Sequence, residues 1–163
     1  MTEQANNPRY SLLTDSPVGT LVLTATDEAI TSVTWVREGE TVEENPNDLL
    51  REAARQIAAY FEKGEPFALP LEPAGSAFQR KGWKAMAEIP YGETESYGTL
   101  ATRIGSGPRA VGMLCATNPI PIIVPCHRVV AAGGKLGGFS GGEGLPTKKW
   151  LLGHEGVLEP TLL

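Results

Sequence analysis

The sequence predicts an α+β protein (a mixed α/β chain) of two domains. In the first half, residues 19–26 and 30–36 alternate apolar and polar side chains as strands do, and residues 49–61 repeat apolar residues at helical spacing. In the second half, helix-start signals and glycine-rich loops dominate. Between the halves, Glu65–Gly75 holds three prolines and a glycine, which is typical of a linker. The predicted domains are residues 1–75 and 76–163.

The N-terminal domain is predicted to contain short strands followed by one helix. A first extended run covers Arg9–Thr14. In the segment 30–36 the apolar residues change from one face of the strand to the other partway, so the sequence does not determine which face is buried. Asn47 or Asp48 caps a helix that Gly64 ends. The predicted buried stripe of this helix comprises Leu49, Ala53, Ile57, Tyr60 and Phe61.

The C-terminal domain is predicted to be helical. Ser76 and Gln79 form a capping-box pattern at the start of its first helix. The next two helices cover residues 97–104 and 108–118 and are joined by a tight glycine turn. Two short helices in this arrangement are typical of a helix-turn-helix.

Charge and composition narrow the possible functions. The chain has 163 residues, of which 41% are hydrophobic, and no apolar run is long enough to span a membrane. The first residues are polar and resemble no secretion signal, so we expect a cytoplasmic protein with free thiols. Residues 1–75 carry a net charge of −8 and residues 76–163 carry +3. This asymmetry permits a polyanionic partner at the C-terminal domain only.

The helix predicted over residues 108–118 has an unusual composition. Arg109 stands at its start, and most of the following side chains are small. A recognition helix in a major groove normally carries long polar side chains that reach the base edges. Small residues instead suit close approach to a narrow groove or tight packing between helices, and composition by itself favours packing.

Cys126 and His127 form the clearest chemical motif. Three prolines precede Cys126, so the segment 119–128 is predicted to be rigid and extended. A cysteine becomes a nucleophile as its thiolate, which requires a base or nearby positive charge, and Arg128 offers such charge. Adjacent side chains of an extended chain point to opposite faces, so His127 needs a water bridge or a sharp turn to reach the thiol. The alternative is a buried structural thiol.

Two other features are open to more than one interpretation. The loop 133–144 contains seven glycines, which suits either close approach to a ligand or a mobile loop, and it lacks the phosphate-binding P-loop pattern. The two cysteines and two histidines do not follow a zinc-binding spacing, so no metal site and no cofactor are predicted.

The residues around Cys126 resemble one known family. The run Pro125–Val130 reads PCHRVV, with RAVG beginning 17 residues before its cysteine and LLGHEG after it. These motifs, together with AYFEKGEP, FQRKGWKAM and IPYGETESYG, resemble the O6-alkylguanine-DNA alkyltransferases over nearly the whole chain. The resemblance implies a ribonuclease H-like N-terminal domain and a winged helix-turn-helix-like catalytic domain. It also implies DNA repair by irreversible, single-turnover transfer of an O6-alkyl group from a flipped guanine to a cysteine.

The resemblance assigns roles to individual residues. Cys126 is the implied alkyl acceptor, His127 the base acting through a water, and Glu155 the group that orients His127. Asn118 is implied to brace this network, and Tyr97 to protonate the departing guanine. The implied pocket residues are Cys115, Val129, Phe139, Ser140 and Lys148.

The resemblance also implies the DNA contacts. Arg109 matches an arginine that fills the space of the flipped base, and the small-residue helix would enter the minor groove of double-stranded DNA. The implied DNA-binding set is completed by Thr99, Ala110, Gly112 and Ala116. We expect a monomer, with cooperative binding along DNA left open. Phe139 and Ala116 depart from the tyrosine and arginine of many members, which leaves the alkyl range and the DNA affinity open.

Three other functions stay open on the sequence. A lesion-binding relative without chemistry would lack the acceptor cysteine, whereas Cys126 is present. A helix-turn-helix regulator would not require the Cys126, His127 and Glu155 set. A cysteine hydrolase would require an oxyanion hole, which no motif here marks.

Overall fold

A computed structural model describes residues 9–158, and these form the mixed α/β fold that the sequence predicts. The chain divides into two compact units, Met1–Pro73 and Ala74–Leu163. This division falls two residues before the boundary predicted from the linker composition. Within the described part of the chain, no helix combines the length and the apolar character needed to cross a bilayer.

The N-terminal unit contains a three-stranded antiparallel sheet in the order β1 (Tyr10–Thr14), β2 (Leu21–Ala25) and β3 (Ile30–Trp35). The central strand is the most buried, and Leu21 and Leu23 are fully inaccessible to solvent. Burial of these apolar side chains supplies the main stabilisation of the sheet.

A β-bulge explains the change of face noted between residues 30 and 36. Thr24 pairs with Ser32 and the next residue, Ala25, pairs with Ile30, so Thr31 is an extra residue in β3. The bulge inverts the alternation, and Ile30 and Val33 are therefore both buried although they are three positions apart. Period-two alternation alone therefore does not identify the buried face of this strand.

The helix α1 (Asp48–Lys63) begins and ends at the predicted residues. The Asn47 side chain accepts a hydrogen bond from the Leu50 amide at 2.9 Å, and Gly64 ends the helix in the left-handed conformation, with φ of 68°. The predicted buried stripe is wrong at one end, because Leu50 is buried and Leu49 only half-buried. The core packs against a face centred on Leu50, Ala53, Ile57 and Tyr60, and Phe61 lies at its margin.

Over residues 74–158, the C-terminal unit contains four α-helices and one two-stranded sheet. The helices are α2 (Ala77–Ala87), α3 (Tyr97–Ile104), α4 (Pro108–Thr117) and α5 (Leu145–His154). The strands β4 (Glu95–Ser96) and β5 (Val129–Val130) pair in parallel. The capping box at Ser76 and Gln79 is present, and Gly105 makes the tight turn between α3 and α4.

The segment 119–128 forms successive tight turns, so the prediction of an extended segment is wrong. Ile122 has a positive φ of 74°, and the Val124 amide donates to the Ile120 carbonyl at 2.8 Å. The Cys126 amide then donates to the Val124 carbonyl at 2.8 Å across Pro125, as in a γ-turn. Proline restricts φ to a value that turns and extended chain share, so the prolines did not discriminate between them.

Gly82→Ala is expected to lower the free energy of unfolding by about 1 kcal/mol. A Cβ at Gly82 would overlap the buried Leu114 side chain of α4. Overpacking of this kind costs about 1–3 kcal/mol, which exceeds the gain of up to ~1 kcal/mol from the better helix propensity of alanine. Urea denaturation followed by circular dichroism measures the change.

Gly112→Ala on α4 is the matched control for this substitution. No atom of the described chain outside the helix's own backbone lies within 4 Å of a Cβ at Gly112, so alanine is expected to stabilise the protein by up to ~1 kcal/mol. Equal stabilisation by both substitutions would contradict the collision at Leu114.

Candidate active site

Cys126 is held at the end of the turn by Asn118, the residue that ends α4. The Asn118 side chain accepts from the Ile120 amide and donates to the Val124 carbonyl, both at 2.9 Å, so it joins the two ends of the turn. Burial raises the pKa of the Cys126 thiol, while a hydrogen bond from Asn118 and the charge of Lys148 act to lower that pKa. The thiol is only 4% exposed, so its reactivity depends on these neighbours.

His127 and Glu155 form a buried pair. His127 Nε2 lies 2.7 Å from Glu155 Oε2, and both side chains are enclosed. An ionised carboxylate only accepts hydrogen bonds, so Nε2 carries the ring proton and Nδ1 has the free electron pair of a neutral imidazole. Nδ1 is buried without a hydrogen-bond partner among residues 9–158.

Burial keeps His127 neutral. Desolvation lowers the pKa of His127, although Glu155 acts to raise it, and the charges of Arg128 and Lys148 lower it further. A neutral imidazole whose Nδ1 has a free electron pair has the properties of a general base.

Arg128 points at Glu155, although its position close to Cys126 in the sequence predicts positive charge near the thiol. Its Nε lies 2.8 Å from Glu155 Oε1, a terminal nitrogen lies 3.1 Å from Oε2, and the other donates to the Ile89 carbonyl at 2.7 Å. Cys126–Arg128 forms one turn of 3-10 helix, so its three side chains point in different directions. Sequence spacing carried no signal for this arrangement because the turn was not predicted.

Lys148 is a fully buried cation on α5. Its ammonium donates to the Val129 carbonyl at 2.7 Å and to the Gly138 carbonyl at 3.1 Å, which ties β5 to the glycine-rich loop. Burial lowers the pKa of Lys148, while the two cysteines act to raise it. Lys148 is therefore the cation that acts on Cys126, in place of Arg128.

Tyr97 lies at the first position of α3 and contacts the same loop. The Gly138 amide donates to its hydroxyl at 3.3 Å, and a Cβ at Gly137, which has a positive φ of 76°, would collide with that hydroxyl. Burial raises the pKa of Tyr97, so the phenol stays protonated and able to donate at neutral pH. The glycine at position 137 is required by both its φ and its contact.

The other predicted pocket residues differ in exposure. Val129 is buried in β5, Phe139 is half-buried and Ser140 is exposed in the glycine-rich loop. Cys115 is half-buried on α4, and burial raises its pKa to about 12. Cys115 is consequently a protonated thiol at neutral pH.

The predicted DNA-binding residues lie on α3 and α4. Arg109 is exposed, and its side chain forms no hydrogen bond or ion pair within residues 9–158. Ala116 is exposed on the same face of α4, together with Met113, which the sequence analysis did not single out and which is 61% exposed. The remaining members are half-buried or exposed: Ala110, Gly112 and Thr99.

The structure joins six of the predicted residues into one network. Asn118 holds the turn that carries Cys126 and His127, and His127 is hydrogen-bonded to Glu155. Lys148 and Tyr97 are joined through Gly138 of the glycine-rich loop. Within residues 9–158, no group of three or more cysteine, histidine, aspartate or glutamate side chains is arranged to hold a metal ion.

Lys148→Met is expected to loosen the glycine-rich loop, because methionine keeps the volume but loses both hydrogen bonds. Amide hydrogen exchange around Gly138 should become about tenfold faster, as expected for the loss of roughly 1–1.5 kcal/mol. Lys149→Met is the matched control, since Lys149 is exposed. Equal exchange rates in the two variants would contradict the role of the Lys148 hydrogen bonds in holding the loop.

Two family models together match most of the chain. The 6-O-methylguanine DNA methyltransferase, ribonuclease-like domain matches residues 9–73, and the DNA binding domain of the same family matches residues 77–157.

Named relatives and solved structures agree with these models. The methylated-DNA–protein-cysteine methyltransferase of Methanosarcina acetivorans is 43% identical over 157 residues, which is 90% of this chain and 98% of the relative. The constitutive enzyme of the same name from Bacillus subtilis is 37% identical, over 91% of this chain and 96% of its own. The Mycobacterium tuberculosis OGT, solved in complex with DNA, matches with a TM-score of 0.76 and 40% identity, over 91% of this chain and 92% of that chain. The chain therefore belongs to the O6-methylguanine-DNA methyltransferase family, as its motifs predicted.

Proposed function

We propose that this protein repairs O6-alkylguanine in double-stranded DNA by moving the alkyl group to Cys126. The observation that carries the assignment is the Cys126 thiol on the same turn as a buried, neutral His127 that Glu155 orients. Relatives at about 40% identity carry names for methyl transfer from DNA to a protein cysteine. The general activity follows from the family, and the residue roles below are our proposal.

The proposed step is a single displacement at carbon. The Cys126 sulfur attacks the alkyl carbon, the bond from that carbon to guanine O6 breaks, and its electron pair stays with the guanine. The thiol proton passes through a water to His127 Nδ1, while Tyr97 gives a proton to the departing guanine. The proton on His127 then restores Tyr97 through solvent, so charge and atoms balance.

The product explains why each molecule would act once. A thioether sulfur has no proton to lose and is a poor leaving group at neutral pH, so Cys126 stays alkylated. Asn118 and Lys148 favour the reactive thiolate before transfer, because both act to lower the pKa of Cys126.

The surface of α4 supports binding in the minor groove. Arg109, Gly112, Met113 and Ala116 follow helical spacing along one face. Space beside Gly112 is open, so the helix backbone is accessible to a narrow groove. Sequence readout in that groove is degenerate, because it distinguishes little more than A·T from G·C pairs, which suits a protein that must find damage in any sequence. In this proposal Arg109 occupies the space of the flipped base and one protein molecule suffices for repair.

Incubation with duplex DNA containing O6-methylguanine is expected to add one methyl group per protein, on Cys126. Intact-protein mass spectrometry with peptide mapping measures the amount and the site. Cys126→Ser should abolish the transfer because serine is a far weaker nucleophile at neutral pH, while Cys115→Ser should retain it.

With lesion binding measured in parallel by a gel-shift assay, three outcomes would contradict the proposal. Methyl groups on Cys115 would move the acceptor to α4. Lesion binding without any mass change would favour a binding-only protein. The absence of both lesion binding and a mass change would exclude repair by this chain.

Arg109→Ala is expected to slow repair of duplex DNA at least tenfold, which corresponds to about 1.4 kcal/mol lost from base flipping. Reaction with free O6-benzylguanine should be unchanged, because a free base needs no flipping. Arg80→Ala removes the same charge from the exposed face of α2 and is the control. Equal losses on duplex DNA and on the free base would overturn the role of Arg109.

A further inference from the structure

We propose that Arg128 is a positioning residue that keeps Glu155 ionised and thereby holds His127 in the tautomer with its proton on Nε2. Nδ1 is then always the atom that accepts the thiol proton. The inference rests on the proposed function of His127 as the base.

The hydrogen bonds to Glu155 favour its ionised form. Glu155 Oε1 accepts hydrogen bonds from Arg128 Nε at 2.8 Å and from the Gly92 amide at 3.3 Å. Glu155 Oε2 accepts hydrogen bonds from His127 Nε2 at 2.7 Å and from a terminal nitrogen of Arg128 at 3.1 Å. These contacts bring donors to both oxygens, so a proton on either oxygen would have to displace a hydrogen bond that is already formed. Arg128 supplies two of these donors and fixes the plane of the carboxylate as a bidentate partner.

The charge balance around His127 explains why the imidazole stays neutral. The charged groups that act on it are Glu155 after α5, Lys148 on α5, and Arg128 on its own turn. A buried carboxylate facing only a histidine would attract a proton, either onto the ring or onto itself. The guanidinium compensates the carboxylate charge, so neither protonation is required.

Arginine is suited to this position in a way that lysine is not. Its third contact, to the Ile89 carbonyl at 2.7 Å, anchors the guanidinium, and the ring of Tyr91 lies 5.8 Å from its central carbon. Burial raises the pKa of the Tyr91 phenol, the charge of Glu155 acts to raise it further, and the charge of Arg128 acts to lower it. A lysine would keep the charge but would not bridge both carboxylate oxygens in one plane.

The tautomer of His127 tests this inference directly. Nitrogen-15 NMR distinguishes the two ring nitrogens, and His154→Gln leaves His127 as the one histidine to assign. At pH 7.5 the protein should show a protonated Nε2 and an unprotonated Nδ1. Arg128→Met should give a mixture of tautomers or an imidazolium, and Arg128→Lys should retain the Nε2 proton.

The pH dependence of alkyl transfer is the second readout. The rate of reaction with free O6-benzylguanine should fall at low pH as His127 takes up a proton. This fall in rate is the acid limb of the pH profile. In Arg128→Met the acid limb should lie about one pH unit higher, because Glu155 would then stabilise the imidazolium of His127 without the opposing charge of Arg128. Arg128→Lys should keep the limb near its original pH with a lower plateau rate.

Arg103→Met is the matched control. Like Arg128, Arg103 forms ion pairs, here with Glu88 and Glu95, but it lies at an exposed position of the same unit. It should leave both the His127 tautomer and the acid limb unchanged. If Arg128→Met does not fold, Arg128→Gln replaces it, because glutamine keeps a donor without the charge.

The outcomes separate this inference from the proposed function. A folded Arg128→Met or Arg128→Gln with the original tautomer and acid limb would overturn the role of Arg128, even if Cys126 is still alkylated. If the unmodified protein transfers no alkyl group, the proposed function fails, and the tautomer in the Arg128 variants still decides whether Arg128 positions His127.

Discussion

The buried carboxylate of Glu155 is the constraint on which the rest of the C-terminal unit depends. It follows α5, yet it binds two residues of the turn that carries Cys126 and the amide of Gly92 before β4. A charge enclosed in this way is tolerated only when its hydrogen bonds are complete. Helix, turn and loop are therefore held in one arrangement, which is also the arrangement that orients His127.

Lys148 links the packing of the site to the electrostatics of the Cys126 thiol. Lys148 lies under both the glycine-rich loop and β5, so its two hydrogen bonds make the loop part of the site. Its charge also opposes the effect of burial on the thiol. The same side chain therefore stabilises the loop and acts on the pKa of the thiol. A substitution at Lys148 would change the order of the loop and the reactivity of Cys126 together.

Much of the architecture was predictable because local signals and tertiary packing agree. Asn47, Gly64, Ser76 and Gly105 act as helix caps in the structure as their residue types predict. The failures occurred where a local pattern has two physical solutions. The stripe of α1 was predicted from Leu49, whereas packing selected Leu50. The prolines before Cys126 suit an extended chain or a series of turns, and the Asn118 side chain favours the turns.

The sequence by itself determined the family, the mixed fold and the presence of a cysteine, a histidine and a glutamate suited to alkyl transfer, because these depend on residue identity and short spacing. Only the tertiary structure decided what Arg128 and Lys148 contact. Arg128 was predicted to act on the thiol beside it, but the 3-10 turn directs it to Glu155, 27 residues away. Lys148 acts on the thiol in its place, from a position 22 residues further along the chain. Contacts across such separations depend on packing of the whole unit, which no local pattern encodes.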